Sequence, residues 1–292
     1  MVEYLHLAEE VNRAVNTKSW SLFEALVFYL GYLASGLIAR LALLLFHATR
    51  LALENQQNHA LFDGQRFFAE VLSAVERRPM VILLLADLAV VLLLVVVIRA
   101  RGERPVRYLA LTRAPVSGLL GAVGAGVGFR YAFSWLLTLL LGGSATLQSY
   151  NQHMEQFVDD AFWLVLCAVV LAAPVIEELV FRGALFRALE RSFHKGVAIF
   201  VPSVLFALAH TDPVQMAYAF VLGLLLAVTR ARSGRLLPCI FLHMAFNAAN
   251  FLQFTLPVWA VMLATIACYL LTLRGGKRIN RKKHCQNAAN LL

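Results

Sequence analysis

The chain has 292 residues, of which 60% are hydrophobic and only 15% charged, and its formal net charge at pH 7 is +9. Soluble domains carry about a quarter charged residues, so the composition excludes an ordinary soluble protein. The apolar residues come in blocks about as long as the roughly 20-residue span that crosses a bilayer, which predicts an integral membrane protein in contact with lipid. The positive charge does not indicate a nucleic-acid partner, because Lys and Arg concentrate in alternate loops, as in the cytoplasmic loops of membrane proteins.

Residues 1–19 lack the basic start and apolar run of a cleavable signal peptide, and are expected to form a short amphipathic segment at the membrane surface. Residues 20–273 follow as one predicted membrane domain, and residues 274–292 as a basic cytoplasmic tail. The domain contains eight candidate spans, at about 20–47, 80–98, 115–142, 160–189, 197–210, 214–229, 236–254 and 256–273. The expected fold class is therefore all-α, a polytopic membrane helix bundle with about eight transmembrane helices.

The charges of the loops predict the orientation of this bundle. Lys and Arg concentrate in loops 99–114, 187–196 and 230–235 and in the tail, whereas loops 143–159, 211–213 and 255 contain neither. Because basic residues are retained in the cytoplasm, this alternation predicts that both termini are cytoplasmic. The loop 48–79 departs from the pattern, since it should lie outside but carries four arginines. These are Arg50, Arg66, Arg77 and Arg78.

Several ionisable residues fall inside the candidate spans, where charges are costly and often functional. Asp87, Arg130 and Arg40 lie at similar depth, which predicts an ion pair that pins helices together. Glu24 lies near the inner interface, where contact with water is expected. The third span also has glycines on one helix face, which predicts the close approach of another helix. These glycines are Gly121, Gly124 and Gly128.

The fourth span carries three charges within "EELVFR", although residues 161–176 before it carry none. Glu178 and Arg182 are four residues apart, so they are expected to form an ion pair on one helix face. Glu177 points about 100° away and has no partner nearby in sequence. A buried carboxylate of this kind needs a cation, a hydrogen-bonding group or a proton. A basic residue elsewhere would meet that need without any catalytic role.

Two later spans carry histidines. His210 ends the fifth span in "FALAH", and "HMAFN" in the seventh span places His243 and Asn247 on one helix face. Spans five and six are predicted to be too short to fill the bilayer core, so the turn Thr211–Pro213 is expected in a cavity below the outer surface. That position brings His210 towards the depth of Glu177.

These residue types favour hydrolytic chemistry. A glutamate and a histidine around a water molecule suit general-base activation of that water, and a second histidine and an asparagine can donate hydrogen bonds to an oxyanion. Glu177, His210 and His243 could instead bind a divalent metal such as zinc, with an open position for water. The residues do not decide between the two. The sequence contains neither the HExxH motif of a zinc protease nor a serine in a GxSxG turn, so neither of these mechanisms is indicated.

The segments "EELVFR", "FALAH" and "HMAFN" resemble, in order and spacing, the EExxxR, FxxxH and HxxxN motifs of the CPBP family of intramembrane proteases. This family is related to the CAAX prenyl endopeptidases and to bacteriocin self-immunity proteins. The resemblance implies a protease core at about 160–254. It implies that Glu177 and His210 activate water and that His243 and Asn247 bind the oxyanion. Glu178 and Arg182 would form the supporting ion pair. Both a metal-free glutamate mechanism and a zinc-dependent one fit the family pattern.

The leading functional hypothesis is an intramembrane endopeptidase that cleaves a membrane-associated protein or peptide in a bacterial inner membrane. A proton-coupled transporter that uses the buried Glu and His side chains is the main alternative, although no inverted repeat is evident. A non-catalytic immunity or assembly factor is a third reading, because fold alone does not fix function. The sequence does not choose among substrates such as peptide precursors, bacteriocin-like peptides and C-terminal sorting tails.

Overall fold

The computed structural model describes residues 2–57, 63–156, 161–252 and 256–289. Every regular element in these ranges is a helix and none is a strand, which confirms the predicted all-α class. The helices are α1 Val2–Gln57, α2 Gly64–Glu76, α3 Pro79–Ala100, α4 Pro105–Tyr108, α5 Val116–Leu141, α6 Ala145–Gln156, α7 Phe162–Glu190, α8 Lys195–Leu208, α9 Pro213–Ser233, α10 Leu237–Ala248 and α11 Val258–Ala289. Residues 2–19 are the first part of α1, and their location at the membrane surface stays a prediction.

The described helices have the lengths and composition of an integral membrane protein. Five are long and apolar enough to cross a bilayer, namely Trp20–Gln57 within α1, and α3, α5, α7 and α9. Three shorter apolar stretches, α8, Leu237–Phe251 and Val258–Arg274, occupy the positions of the remaining predicted spans. The exact number of spans and the cytoplasmic location of the termini stay predictions.

Helix α9 is longer than the sequence predicts. It has 21 residues and continues through Arg230 to Ser233, so the prediction of a short sixth span ending before that arginine is wrong. Arg230 is buried, and two contacts accommodate its charge. Its Nε donates to the Arg182 carbonyl at 3.2 Å, and its guanidinium lies over the Phe186 ring. The helix ends instead at Gly234, which takes the left-handed conformation common after helix C-termini.

Helix α7 carries the charged cluster and is irregular. Two π-helical stretches, Leu166–Ala172 and Leu179–Leu185, flank the six α-helical residues Ala173–Glu178. Pro174 has no N–H to donate, so it interrupts the regular backbone bonding at the end of the first stretch. Glu177 and Glu178 directly precede the second stretch. Short π-helical segments within α-helices occur frequently at functional sites.

Close packing of α5 brings its neighbours into fixed positions. A Cβ added at Gly121 or Gly124 would lie 2.6 Å from an atom of Cys268 on α11, which confirms the close approach predicted for this glycine face. Gly126 faces the backbone carbonyl of Leu242 on α10. Because a side chain at this position would collide with that backbone, Gly126 allows α10 to pack directly against α5.

Glu24 is buried, so the prediction that it contacts water at the inner interface is wrong. Its side chain is 4% exposed and accepts hydrogen bonds from Arg101 at 2.8 Å, from Arg191 at 3.1 Å and from the Tyr108 hydroxyl. Burial and the hydrogen bond to Glu24 raise the pKa of the Tyr108 phenol above its usual range. Basic residues assigned to loops thus reach back to this carboxylate and tie the first part of α1 to the ends of α3 and α7.

Candidate active site

A cavity of about 1100 Å³ is lined by all four side chains to which the family resemblance gives catalytic roles. Glu177 comes from α7, His210 from the turn after α8, and His243 and Asn247 from α10. Apolar side chains of α1 and α3 form much of the remaining wall. The helices therefore bring residues that are distant in sequence to one cavity.

Glu178 and Arg182 lie behind this cavity as a buried ion pair. Arg182 Nη1 donates to Glu178 Oε1 at 2.7 Å, as their spacing of four residues predicts, and both side chains are fully buried. Arg182 Nη2 also donates to the Gly223 carbonyl of α9 at 3.1 Å, and the guanidinium lies 4.5 Å from the centroid of the Phe206 ring. The pair therefore holds α7 against α8 and α9.

His243 connects this ion pair to the cavity. Its Nδ1 lies 3.0 Å from Glu178 Oε1, and its Nε2 lies 3.6 Å from Glu177 Oε2. Because a carboxylate paired with arginine only accepts, Nδ1 carries the proton in this contact. The His243 ring is thus held between the two adjacent glutamates, a contact that helical spacing within the fourth span could not reveal.

Glu177 has a hydrogen-bond donor that sequence reasoning missed. The Tyr32 hydroxyl of α1 donates to Glu177 Oε1 at 3.3 Å, and the Tyr32 ring packs edge-to-face on Phe181 with 5.3 Å between centroids. The Glu177 side chain remains 13% exposed, on the side of the cavity. The one signal in the sequence is a phenol group inside an apolar span, where a hydroxyl needs a partner.

The predicted ion pair of Asp87 with Arg130 or Arg40 is wrong. Arg130 Nε donates to the side-chain oxygen of Asn250 at 2.6 Å and its Nη1 donates to the Ser134 hydroxyl at 2.6 Å. Asp87 is 7% exposed, and its Oδ2 has no hydrogen-bond partner among the described residues. Similar depth did not bring the charges together, because depth does not fix the direction in which a side chain points.

His210 forms a hydrogen bond through one ring nitrogen, and the other has no hydrogen-bond partner among the described residues. Its Nδ1 lies 2.8 Å from the Phe206 carbonyl, which can only accept, so Nδ1 donates. In a neutral ring Nε2 is then the acceptor. The Phe206 ring stands edge-to-face to both imidazoles, with centroid distances of 5.0 Å to His210 and 5.7 Å to His243. Phe206 thus packs against both histidine rings.

Asn247 is held by the irregular helix opposite. Its Nδ2 donates to the Val169 carbonyl, in the first π-helical stretch of α7, at 2.9 Å. The amide has two N–H groups, so one remains for a ligand in the cavity. Asn250 follows one turn later on the same helix face, and its Nδ2 donates to the Asn247 carbonyl at 2.9 Å.

The geometry fits a resident metal poorly. Among the described residues, no group of three or more His, Cys, Asp or Glu side chains is arranged to hold a metal ion. The three ligands expected from the sequence, Glu177, His210 and His243, do not form such a group, although Nδ1 of each histidine donates to another acceptor and would leave Nε2 as the ligand nitrogen.

Comparison with known proteins identifies the region that contains this site. Residues 159–249 match the family described as Type II CAAX prenyl endopeptidase Rce1-like, which confirms for this region the resemblance expected from the three motifs. All the site residues named by those motifs lie inside the match, whereas Tyr32, Asp87 and Arg130 lie outside it.

Two curated relatives match parts of the chain. An Escherichia coli protein named "Uncharacterized 24.3 kDa protein" is 31% identical over 140 residues, which cover 44% of this chain and 64% of the relative. A Bacillus subtilis (strain 168) protein named "Putative membrane peptidase YdiL" is 28% identical over 100 residues, which cover 34% of this chain and 41% of the relative. The chain thus spans less than two thirds of either relative. No solved structure matches the chain.

Proposed function

We propose that this chain, through its Rce1-like region, is an intramembrane endopeptidase that hydrolyses a peptide bond of a membrane-associated protein or peptide. One observation carries the proposal: Glu177, His210, His243 and Asn247 line the same cavity, although they come from three separate parts of the chain. Such convergence of costly polar side chains inside apolar helices is the pattern of a functional site in a membrane protein.

In the proposed reaction, Glu177 and His210 act on one water molecule. Among the described residues, neither Glu177 Oε2 nor His210 Nε2 accepts a hydrogen bond, and the group nearest to Glu177 Oε2 described above is His243 Nε2 at 3.6 Å. A proton that leaves the water for one of these groups makes the oxygen nucleophilic, and the oxygen then attacks the peptide carbonyl carbon. The same proton is later given to the leaving nitrogen when the carbon–nitrogen bond breaks, so the enzyme returns to its starting protonation state.

The oxyanion that forms on the attacked carbonyl needs hydrogen-bond donors. The free N–H of the Asn247 amide is one. His243 is the other: because its Nδ1 already donates to Glu178, a second proton on Nε2 makes the ring an imidazolium cation, which donates from Nε2 to the oxyanion. We propose a supporting role for Glu178 and Arg182, because their ion pair fixes the acceptor that orients the His243 ring. We further propose that the protein acts in a bacterial inner membrane, since both relatives are bacterial.

The test compares processing by wild-type protein, Glu177→Ala and His210→Ala in the membranes of producing bacterial cells. Mass spectrometry of membrane-protein termini measures which cleaved fragments depend on the wild-type protein. We expect both variants to lose these fragments and to accumulate the uncleaved precursors. Glu190→Gln is the matched control, because this glutamate lies on the same helix but is exposed and outside the cavity. Normal processing by both cavity variants would reject the proposal.

A further inference from the structure

Two arginines on the cavity wall have no anionic partner among the described residues. Arg40 of α1 and Arg130 of α5 both line the cavity and both lie within candidate membrane spans. In the part of the chain that the structure describes, neither forms an ion pair, although Glu76 and Glu177 line the same cavity. A cation inside the bilayer is costly unless it meets an anion or water, so such residues mark places where a ligand is bound.

Arg130 is held in place by neutral groups. Its bonds to Asn250 and Ser134 use two of the five N–H groups that a guanidinium carries, and the guanidinium lies 6.0 Å from the centroid of the Phe246 ring. These contacts fix the orientation of the side chain without cancelling its charge. The remaining N–H groups form the fork that recognises planar oxyanions such as carboxylates.

Hydrogen bonds through Asn250 connect Arg130 to the candidate reaction centre. Asn250 accepts from Arg130 and donates to the carbonyl of Asn247, the residue proposed to bind the oxyanion. The cation and the hydrolytic residues therefore share one cavity and are joined by a short chain of hydrogen bonds. The rest of the wall is mainly apolar, with leucines such as Leu37, Leu41 and Leu83.

We propose that Arg130, assisted by Arg40, forms a carboxylate-binding subsite for the peptide substrate. The inference deepens the proposed protease function and rests on it for the identity of the ligand as a peptide. The substrate class is an apolar peptide segment that carries one carboxylate, either at its own C-terminus or on an Asp or Glu side chain. The carboxylate pairs with the guanidinium while the apolar part covers the leucine-rich wall, so both the charge and the apolar surface of the cavity are satisfied.

The test measures binding, so its result does not depend on cleavage. Three fluorescent peptides of Leu and Ala serve as probes: one with a free C-terminal carboxylate, one with a C-terminal amide, and one with the amide and a single internal Glu. Fluorescence anisotropy gives their affinities for purified Glu177→Gln protein in detergent micelles. We expect at least one carboxylate peptide to bind roughly ten- to a hundredfold more tightly than the uncharged peptide, as for a hydrogen-bonded charge pair. The tighter of the two carboxylate peptides identifies the source of the carboxylate.

Variants of the arginines show whether the charge is responsible. In the same background, Arg130→Gln should abolish the preference for carboxylate, Arg130→Lys should keep part of it, and Arg40→Gln should reduce it. Arg113→Gln is the control, because this arginine is exposed and lies outside the cavity. Equal binding of all three peptides would overturn the inference. An equal loss for all three in Arg130→Gln would also overturn it, since that result indicates a structural role or neutralisation by lipid.

Discussion

Breaking the buried ion pair of Glu178 and Arg182 should cost far more stability than breaking an exposed ion pair of the same spacing. Glu178→Gln keeps the size of the side chain but removes the negative charge that Arg182 and His243 share. The change leaves the Arg182 guanidinium buried without a counter-charge, and it leaves the Nδ1 proton of His243 facing a neutral amide. We expect the variant to be strongly destabilised and to lose activity.

The magnitude follows from burial. Glu178 and Arg182 have no exposed side-chain surface and His243 has 4%, so water does not replace the lost contact. Removing one partner of a buried ion pair costs about 3–5 kcal/mol. Removing both partners should cost less. Glu178 Oε2 and Arg182 Nε already lack partners among the described residues, so the pair is only partly compensated.

Thermal unfolding of the purified protein in detergent micelles measures this effect. Glu178→Gln should lower the midpoint clearly, and the double variant Glu178→Gln/Arg182→Met should recover part of the loss. Glu70→Gln is the matched control, because Arg66 and Glu70 form a pair at the same spacing of four residues but are 79% and 46% exposed. A surface pair of this kind contributes little. The reasoning fails if Glu178→Gln unfolds like the control, or if the double variant is less stable than the single one.

Four further predictions address the site and its supports. Tyr32→Phe removes the donor to Glu177 and should lower kcat about tenfold with little change in KM; Tyr29→Phe, which changes a phenol without that contact, should leave both unchanged, and equal effects would contradict the assigned role. Gly126→Ala forces a Cβ into the α10 backbone and should cost about 1–3 kcal/mol, so an unaltered melting temperature would contradict the packing described. Glu24→Gln should also lower the melting temperature, because a buried carboxylate that accepts three hydrogen bonds is lost. Exhaustive chelation of the active enzyme should leave activity intact, whereas loss that zinc restores would establish the metal-dependent alternative.

The sequence predicts contacts whose geometry a single helix determines. Glu178 and Arg182 meet because residues four apart share a helix face, and the glycines of α5 meet α11 because residues on one face pack together. The side chains that line the cavity were predicted in another way, because the resemblance to the family motifs implies that the three segments share one site.

Contacts between helices could not be predicted in this way. Asp87 and Arg130 have similar depth, but depth along a span leaves the direction around the helix axis open, and the two side chains point to different neighbours. Arg230 and Glu24 were predicted to lie near water but are buried by contacts with other helices. The sequence predicts that Arg230 follows the end of a span and that Glu24 contacts water. Arg230 instead lies over an aromatic ring, and Glu24 pairs with arginines from distant loops. Long basic side chains can reach partners that their sequence position does not indicate.

His243 contacts both Glu177 and Glu178, which shows how two adjacent carboxylates on one helix can share a partner. Neighbouring residues on a helix point about 100° apart, so Glu177 and Glu178 cannot present their carboxylates to a small common partner in the same direction. An imidazole has nitrogens on different edges of its ring, and in this structure Nδ1 contacts Glu178 while Nε2 faces Glu177. The buried ion pair therefore acts on the cavity through one ring. Because Arg182 fixes Glu178 and Glu178 fixes the orientation of the His243 ring, a residue without access to the cavity determines which nitrogen faces the carboxylate proposed to activate water.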